Sequence, residues 1–85
     1  MHKNFTEVGF RDYIYWQNQD RKTLNKINRL LQSIERDGAL FGEGKPERLK
    51  HEDGYSRRID ETNRLIYDIV NDTIMIKGCR GHYDD

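Results

Sequence analysis

Residues suited to acid–base chemistry on a phosphate are concentrated in the second half of the chain. The segment "GALFGEGKPERLKHEDG", residues 38–54, holds a carboxylate, an amine and an imidazole at Glu47, Lys50 and His51. The strands expected after it add four arginines, a histidine and a tyrosine: Arg57, Arg58, Arg64, Arg80, His82 and Tyr83. When RNA is cleaved by attack of its own 2′-hydroxyl, a base must take the proton of that hydroxyl and an acid must protonate the leaving 5′-oxygen. A cation must also stabilise the negative charge that develops around phosphorus. These residue types are therefore consistent with metal-free phosphodiester cleavage.

Each of these residues also has a purely structural explanation. A glutamate such as Glu47 on a polar loop is by default a solvated surface charge. Three arginines of the meander are expected on the open face of the sheet, where they would most often be surface cations: Arg57, Arg58 and Arg64. His82 is close to the end of the sequence, where a side chain is usually just exposed, and Tyr83 can simply anchor the last strand. Residue types and spacing alone therefore leave the choice between catalysis and structure open.

Composition narrows the class of protein. The chain of 85 residues is 34% hydrophobic and 35% charged, which predicts one domain over residues 1–85 with a thin core that a partner or a dimer interface would supplement. Its 15 basic residues balance 15 acidic ones, so neither half is strongly basic. Weak unaided binding to free nucleic acid is expected, and any RNA substrate would have to be presented by something else.

Cysteine usage and hydropathy indicate the compartment. The single Cys79 excludes an intrachain disulfide and leaves no zinc-binding spacing, so we expect a reducing cytoplasm. The start "MHKNFTEVGF" lacks the layout of a signal peptide, and runs such as "RLIYDIV" are too short to cross a bilayer. The "GEGK" stretch resembles a phosphate-binding loop, but Ala39 and Pro46 stand where that motif requires glycine and Ser or Thr. Nucleotide binding is rejected on that ground.

Two helices are predicted in the first half of the chain. Thr6 is a predicted N-cap of an aromatic helix that runs to about Gln19, after a possible first strand. Asp20 is the next predicted N-cap, and Gly38 the C-terminal stop of a second helix. Apolar residues recur within that helix at three- and four-residue spacing: Leu24, Ile27, Leu31 and Ile34.

The second half predicts an antiparallel meander. The stretches "YSRRI", "NRLIYDIV" and "TIMIKGCR" have a period of two and are separated by the polar turns "DET" and "ND". In the middle strand one set of alternating side chains is expected to pack on the helices: Leu65, Tyr67 and Ile69. The other set is expected to face the far side of the sheet: Arg64, Ile66 and Asp68. Part of the irregular segment 38–54 could pair as a further short strand.

Four blocks of the sequence resemble a known family. "DYIYWQNQDRKTLNKIN", "GKPERLKH", "YSRRIDETNRLIYDI" and "CRGHY" are similar to the successive blocks of the Txe/YoeB toxins, a branch of the RelE/ParE-like superfamily, from about Phe5 to Tyr83. The resemblance implies an α+β microbial RNase/RelE-like fold, with two N-terminal helices packed on a mainly antiparallel four- to five-stranded sheet. It also implies the toxin of a type II toxin-antitoxin system, an mRNA endoribonuclease that acts in the ribosomal A site without a cofactor or metal.

The resemblance also implies partners and residue roles. The expected partners are a cognate antitoxin of the YefM/Axe kind, the ribosome with its mRNA, and a second copy of the chain, with no membrane involved. When the family's residue roles are transferred by position, the resemblance implies that Glu47 is the general base, Arg64 the cation that stabilises the phosphorane and His82 the general acid. Four further residues are assigned to substrate binding: Lys50, His51, Arg58 and Tyr83.

The sequence departs from the family pattern in places, and two alternative functions on the same fold also stay open. "MHKNF" lacks the apolar first strand usual in the family, Gly9 should weaken the first helix by roughly 1 kcal/mol relative to alanine, and Asp84 and Asp85 follow Tyr83. One alternative is a ParE-like toxin that binds its target without cutting RNA. The other is a degenerate toxin that acts only with its antitoxin, as binding partner and corepressor.

Overall fold

The computed structural model describes residues 1–81, which form two helices and a five-stranded sheet. The helices are α1 (Glu7–Gln19) and α2 (Arg21–Asp37). The strands are β1 (His2–Phe5), β2 (Glu47–Arg48), β3 (Tyr55–Arg58), β4 (Arg64–Val70) and β5 (Thr73–Gly78). Their order in the sheet is β1-β5-β4-β3-β2, with β1 parallel to β5 and the other pairs antiparallel. The predicted α+β architecture is therefore confirmed, and its sheet is mixed because of β1.

The helix ends lie where capping chemistry predicts them. Thr6 Oγ1 accepts a hydrogen bond from the Gly9 amide at 3.0 Å, and Asp20 Oδ1 accepts one from the Lys22 amide at the same distance. Gly38 ends α2 at φ 95°, in the left-handed region that glycine adopts without a steric penalty. These three caps and the boundaries they predict are confirmed.

The core lies between α2 and the face of the sheet that carries Leu65 and Tyr67. The helix buries the side chains expected from its period together with Leu30, and Tyr13 and Trp16 of α1 pack against the edge of the same cluster. Tyr67 and Leu65 are fully buried, and Ile69 packs beside them, as predicted. Neither helix within residues 1–81 is both long and apolar enough to span a membrane.

Arg57 corrects the expectation that the meander arginines all lie on the open face. It is opposite Leu65 in the β3–β4 register, so its side chain is on the helix-covered face, where it is fully buried. Its Nε donates to Tyr67 Oη at 2.9 Å, and Nη1 donates to Ser33 Oγ at 3.0 Å. The remaining donors reach three loop carbonyl oxygens at 2.7–2.8 Å: Gly38, Phe41 and Glu43. The buried cation therefore fixes the loop that leads into β2.

Gly9 has a packing role that the sequence reading missed. A Cβ built at this position would lie 2.1 Å from the backbone oxygen of Ile76 in β5. Because only a glycine permits so close an approach, the residue expected to weaken α1 is also the one that seats it on the sheet. The first strand, β1, is short, at four residues, and is paired along its length with β5.

A register shift in the β4–β5 pair redirects the end of β5. Ile66 is opposite Gly78 and Tyr67 is opposite Ile76, so Lys77 is an extra residue between two paired ones. Such a bulge reverses the alternation of every side chain that follows. Cys79 accordingly enters the core at 0% exposure, whereas Arg80 lies on the opposite side, beside Arg64 and Ile66.

Candidate active site

The open face of the sheet, opposite the core, brings together three of the predicted site residues. Residues paired directly across neighbouring strands project to the same side. Glu47 is paired with Ser56 and Ser56 with Ile66, while Arg58 is paired with Arg64. Glu47, Arg58 and Arg64 therefore share this face, and Glu47 and Arg58 are exposed there.

Arg64 is held by the turn that precedes it. Its Nη1 donates to the carbonyl oxygens of Asp60 at 2.7 Å and Asn63 at 3.1 Å. Its amide donates to the Gly81 carbonyl at 3.1 Å, and the Gly81 amide donates to Asn63 Oδ1 at 2.7 Å. Among residues 1–81 the guanidinium is held through Nη1, and backbone groups on two segments set the position of Arg64.

Asp60 organises that turn as an acceptor. Its Oδ1 accepts from the amides of Thr62 at 2.8 Å and Asn63 at 2.7 Å. Burial raises the pKa of the Asp60 carboxyl, but the hydrogen bonds from Asn63 and Thr62 outweigh it and leave the pKa below the usual value. The carboxylate therefore stays ionised and the turn stays closed at neutral pH.

Arg64 forms a shared wall of two concavities. One is a groove of about 490 Å³ lined largely by charged side chains from α2, the loop 38–46 and the β3–β4 turn, with Lys26, Lys45 and Arg58 as its other cations. The second is a pocket of about 320 Å³ lined by α1, β4 and the end of β5. A ligand bound to Arg64 would therefore extend into a cationic groove on one side and into the smaller pocket on the other.

The groove is shaped by the loop that Arg57 fixes. The Arg58 amide donates to the Gly44 carbonyl at 2.6 Å, which holds the loop against β3, and Lys45 has a left-handed φ of 51°. Lys26 Nζ donates to Glu43 Oε2 at 2.9 Å, and this hydrogen bond is the main reason that the pKa of Glu43 is lowered. Glu43 thus remains a counter-charge at the edge of the groove.

The remaining predicted site residues are dispersed or outside the described part of the chain. Lys50 and His51 are exposed on the loop between β2 and β3, which the Leu49 amide closes by donating to the Gly54 carbonyl at 3.0 Å. His82 and Tyr83, like Asp84 and Asp85, lie outside residues 1–81. The described residues thus place Glu47, Arg58 and Arg64 on one face and leave the roles of His82 and Tyr83 as predictions from sequence.

Two features next to Arg64 were not found by sequence reasoning. Asp12 of α1 is only 4% exposed and accepts a hydrogen bond from the Cys79 amide at 3.1 Å. The Arg80 guanidinium lies 3.7 Å from the ring centroid of Tyr15, a cation–π contact. Asp12 is three residues after Gly9 and four before Trp16, so its position on the sheet-facing side of α1 was a readable signal.

Solved structures define the class of protein. Escherichia coli YafQ superimposes with a TM-score of 0.76 at 12% identity over 94% of this chain and 91% of that one, a likeness of fold alone. The YoeB dimer from Staphylococcus aureus superimposes with a TM-score of 0.92 at 46% identity over 98% of each chain. The fold is therefore that of the RelE-like toxins, as predicted.

Sequence comparison then gives the family. A family model described as "YoeB-like toxin of bacterial type II toxin-antitoxin system" matches residues 5–83. Toxin YoeB of Streptomyces coelicolor is 47% identical over 98% of this chain and its own full length, and Toxin YoeB of Escherichia coli K12 is 43% identical over 93% and 95%. The chain belongs to the YoeB-like toxins of bacterial type II toxin-antitoxin systems, which confirms the predicted family and the predicted toxin function.

Proposed function

We propose that the chain cleaves mRNA in the ribosomal A site, without a metal ion, by acid–base catalysis. The YoeB family is known for ribosome-dependent endoribonuclease activity. The observation that carries the proposal for this chain is that Glu47, Arg58 and Arg64 share the open face of the sheet. A base and two cations on one accessible surface are the groups that a phosphodiester must meet at the same time.

The proposed reaction uses one proton acceptor and one proton donor. Glu47 takes the proton of the 2′-hydroxyl, whose oxygen forms a bond to phosphorus while the bond from phosphorus to the 5′-oxygen breaks. His82 gives a proton to that leaving oxygen. The products are a 2′,3′-cyclic phosphate, or the 3′-phosphate formed when water opens it, and a 5′-hydroxyl.

The cations stabilise the charge that develops between these proton transfers. Glu47 is aligned with Ile66, so Arg64 is two strands across and two residues along the sheet from it, roughly 12 Å between backbones, and a ribose and its phosphate fit between the two side chains. Arg64 would bind the phosphorane oxygens and Arg58 the same phosphate from the facing strand, since a guanidinium donates to phosphate in a fixed fork. Lys50, His51 and Tyr83 would hold the neighbouring nucleotides.

The ribosome and an antitoxin complete the proposal. With 15 basic and 15 acidic residues, the chain lacks the excess positive charge needed to hold free RNA, so the ribosome would present the mRNA in the cytoplasm. Solved relatives from Staphylococcus aureus include a YoeB-YefM heterotetramer and a YoeB dimer. A YefM/Axe-like antitoxin and self-association are therefore proposed here, and Phe10 and Phe41, which are 53% and 72% exposed, offer apolar surface for such contacts.

Cleavage on programmed ribosomes tests the proposal. Purified wild-type protein should cut the A-site codon and leave a 5′-hydroxyl end, mapped by primer extension and end labelling. Glu47→Gln and Arg64→Lys should each lower the single-turnover rate by about a hundredfold or more, because each removes a group needed in the transition state. His82→Gln should do the same.

Matched substitutions away from the open face serve as controls. Glu35→Gln and Arg21→Lys alter the same residue types on exposed positions of α2 and should leave the cleavage rate within about twofold of wild type. Wild-type activity in all three site variants would refute the assigned roles. Growth arrest on induction without any mRNA cleavage would favour the ParE-like alternative, in which the toxin only binds its target.

A further inference from the structure

The pocket on the α1 side of Arg64 has the composition of a small-molecule site. Its apolar surface comes from Val8, Ile66 and the backbone at Gly78, and its volume of about 320 Å³ is within the range of ligand pockets. Its charged groups come from separate elements: Asp12, Glu52, Arg64, Lys77 and Arg80. The two carboxylates among these groups disfavour a phosphate, and an apolar surface beside them suits a flat heterocycle that carries N–H donors.

Asp12 gives this pocket a buried acceptor. The side chain is almost fully buried, and Oδ2 accepts from the Cys79 amide at 3.1 Å, while Oδ1 is 3.6 Å from Arg11 Nη2. Each carboxylate oxygen has two lone pairs, so acceptor capacity remains after these contacts. A fixed carboxylate in a cavity selects ligands that carry N–H donors.

Two neighbours of Asp12 shape the pocket around its carboxylate and supply a flat surface. Gly78 has no side chain, and a Cβ at this position would meet Asp12 Oδ2 at 3.5 Å, so a methyl group there would stand beside the carboxylate. Arg80, stacked on Tyr15, presents a planar guanidinium next to the cavity. Arginine planes and apolar side chains are the surfaces on which unpaired RNA bases stack.

We propose that this pocket binds a nucleobase of one of the two nucleotides joined by the scissile phosphate, and that Asp12 favours bases with an exocyclic amino group. The inference depends on the proposed function, because Arg64 at the pocket wall would hold that phosphate. Adenine, cytosine and guanine each carry such an amino group, whereas uracil has carbonyl oxygens at the corresponding positions. Uracil has a single N–H donor, at N3 between these two oxygens, so it would bring at least one acceptor up to the carboxylate and be disfavoured.

Codon substitution on programmed ribosomes measures the preference. Each of the two nucleotides that flank the cut is varied to all four bases, and the ratio of single-turnover rates for amino-bearing bases to uracil is compared at each position. Wild type should prefer the amino-bearing bases about tenfold at one of the two positions, the value of a hydrogen bond to a charged group. Gly78→Ala should reduce that ratio to about twofold or less, through slower cutting of the amino-bearing codons.

Gly78→Ala is compatible with the fold, since the added methyl makes only an ordinary contact and the backbone is not left-handed. Met75→Leu, on the same strand and outside the pocket lining, is the control and should keep the wild-type ratio. Equal ratios in wild type and Gly78→Ala would overturn the inference. A change in antitoxin affinity with an unchanged base ratio would also overturn it and make the pocket an antitoxin site.

A binding experiment separates failure of the pocket from failure of the proposed function. NMR measures the backbone amide chemical shifts of Val8, Ile66 and Gly78 while the isolated toxin is titrated with AMP, CMP, GMP or UMP. The first three should shift these amides at lower concentration than UMP, and Asp12→Asn should reduce the difference. Absence of these shifts would refute the pocket even if the ribosome assay shows cleavage, and their presence would support it even if cleavage fails.

Discussion

Arg57 and Arg58 show how neighbouring residues of one type acquire different roles. They alternate across β3, so Arg57 is enclosed between the sheet and α2 and Arg58 is exposed on the open face. The sequence "RR" predicts two cations but not which one is buried, because that depends on the strand register. Once the register is known, Arg58 is the residue available to a phosphate and Arg57 the one that shapes the loop.

Replacing the buried guanidinium should destabilise the fold far more than replacing the exposed one. Arg57→Lys retains the charge but cannot reproduce the forked bonds to Ser33, Tyr67 and the loop carbonyls, and we expect a loss of about 2 to 3 kcal/mol in the free energy of unfolding. Arg58→Lys is the matched control, with an expected loss below about 0.5 kcal/mol. Urea unfolding measures both, and equal losses would contradict the structural role of Arg57.

At the scale of elements, local signals predicted the helices well and strand pairing only in part. Thr6, Asp20 and Gly38 act through bonds within a few residues, so the sequence shows where each helix begins or ends. The parallel partner of β1 and the bulge at Lys77 depend on contacts between distant segments. A strict period of two therefore places Cys79 on the wrong face, and it cannot reveal that Asp12 binds the Cys79 amide.

The contact between α1 and β5 reverses the usual effect of replacing a helical glycine. Helix propensity favours alanine over glycine by about 1 kcal/mol. At Gly9, however, the added Cβ would lie 2.1 Å from Ile76 O, so α1 must move away from the sheet. We expect Gly9→Ala to lower the free energy of unfolding by about 2 kcal/mol.

Gln17→Ala, at an exposed position of the same helix, is the control for this substitution. It should leave stability within about 0.5 kcal/mol of wild type. Thermal and urea unfolding of both variants measure these changes in the free energy of unfolding. A Gly9→Ala protein at least as stable as wild type would show that helix propensity outweighs the close approach.

For the molecule as a whole, burial of titratable groups predicts lower stability in alkaline solution. Burial, with a smaller contribution from Asp12, raises the pKa of the Cys79 thiol from 9.0 to about 12, and burial likewise raises that of Tyr67. Between pH 9 and 12 the unfolded chain therefore binds fewer protons than the folded one at Cys79. The contribution of the protonated Cys79 thiol to the free energy of unfolding is therefore complete below pH 9 and is lost as the pH rises toward 12.

Comparison with a variant lacking the thiol isolates the effect of Cys79. Between pH 8 and 10, wild type should lose about 1.4 kcal/mol more unfolding free energy than Cys79→Ala, the value of one pKa unit. The quantity compared is the change of unfolding free energy with pH, because the cavity left by Cys79→Ala lowers stability at every pH. Parallel pH profiles from urea unfolding would show that the Cys79 thiol is not protected in the folded state.

The parallel pairing of β1 with β5 sets the order in which a newly made chain is completed. His2 is paired with Thr73, so the first strand has no partner in the sheet until the last strand has been synthesised. At roughly 5 to 20 residues per second, several seconds separate the synthesis of these two strands. Arg64 is also tied to Gly81, beyond β5, so the open face takes its final form only after this point. The fold therefore delays assembly of the open face until the chain has been synthesised as far as Gly81.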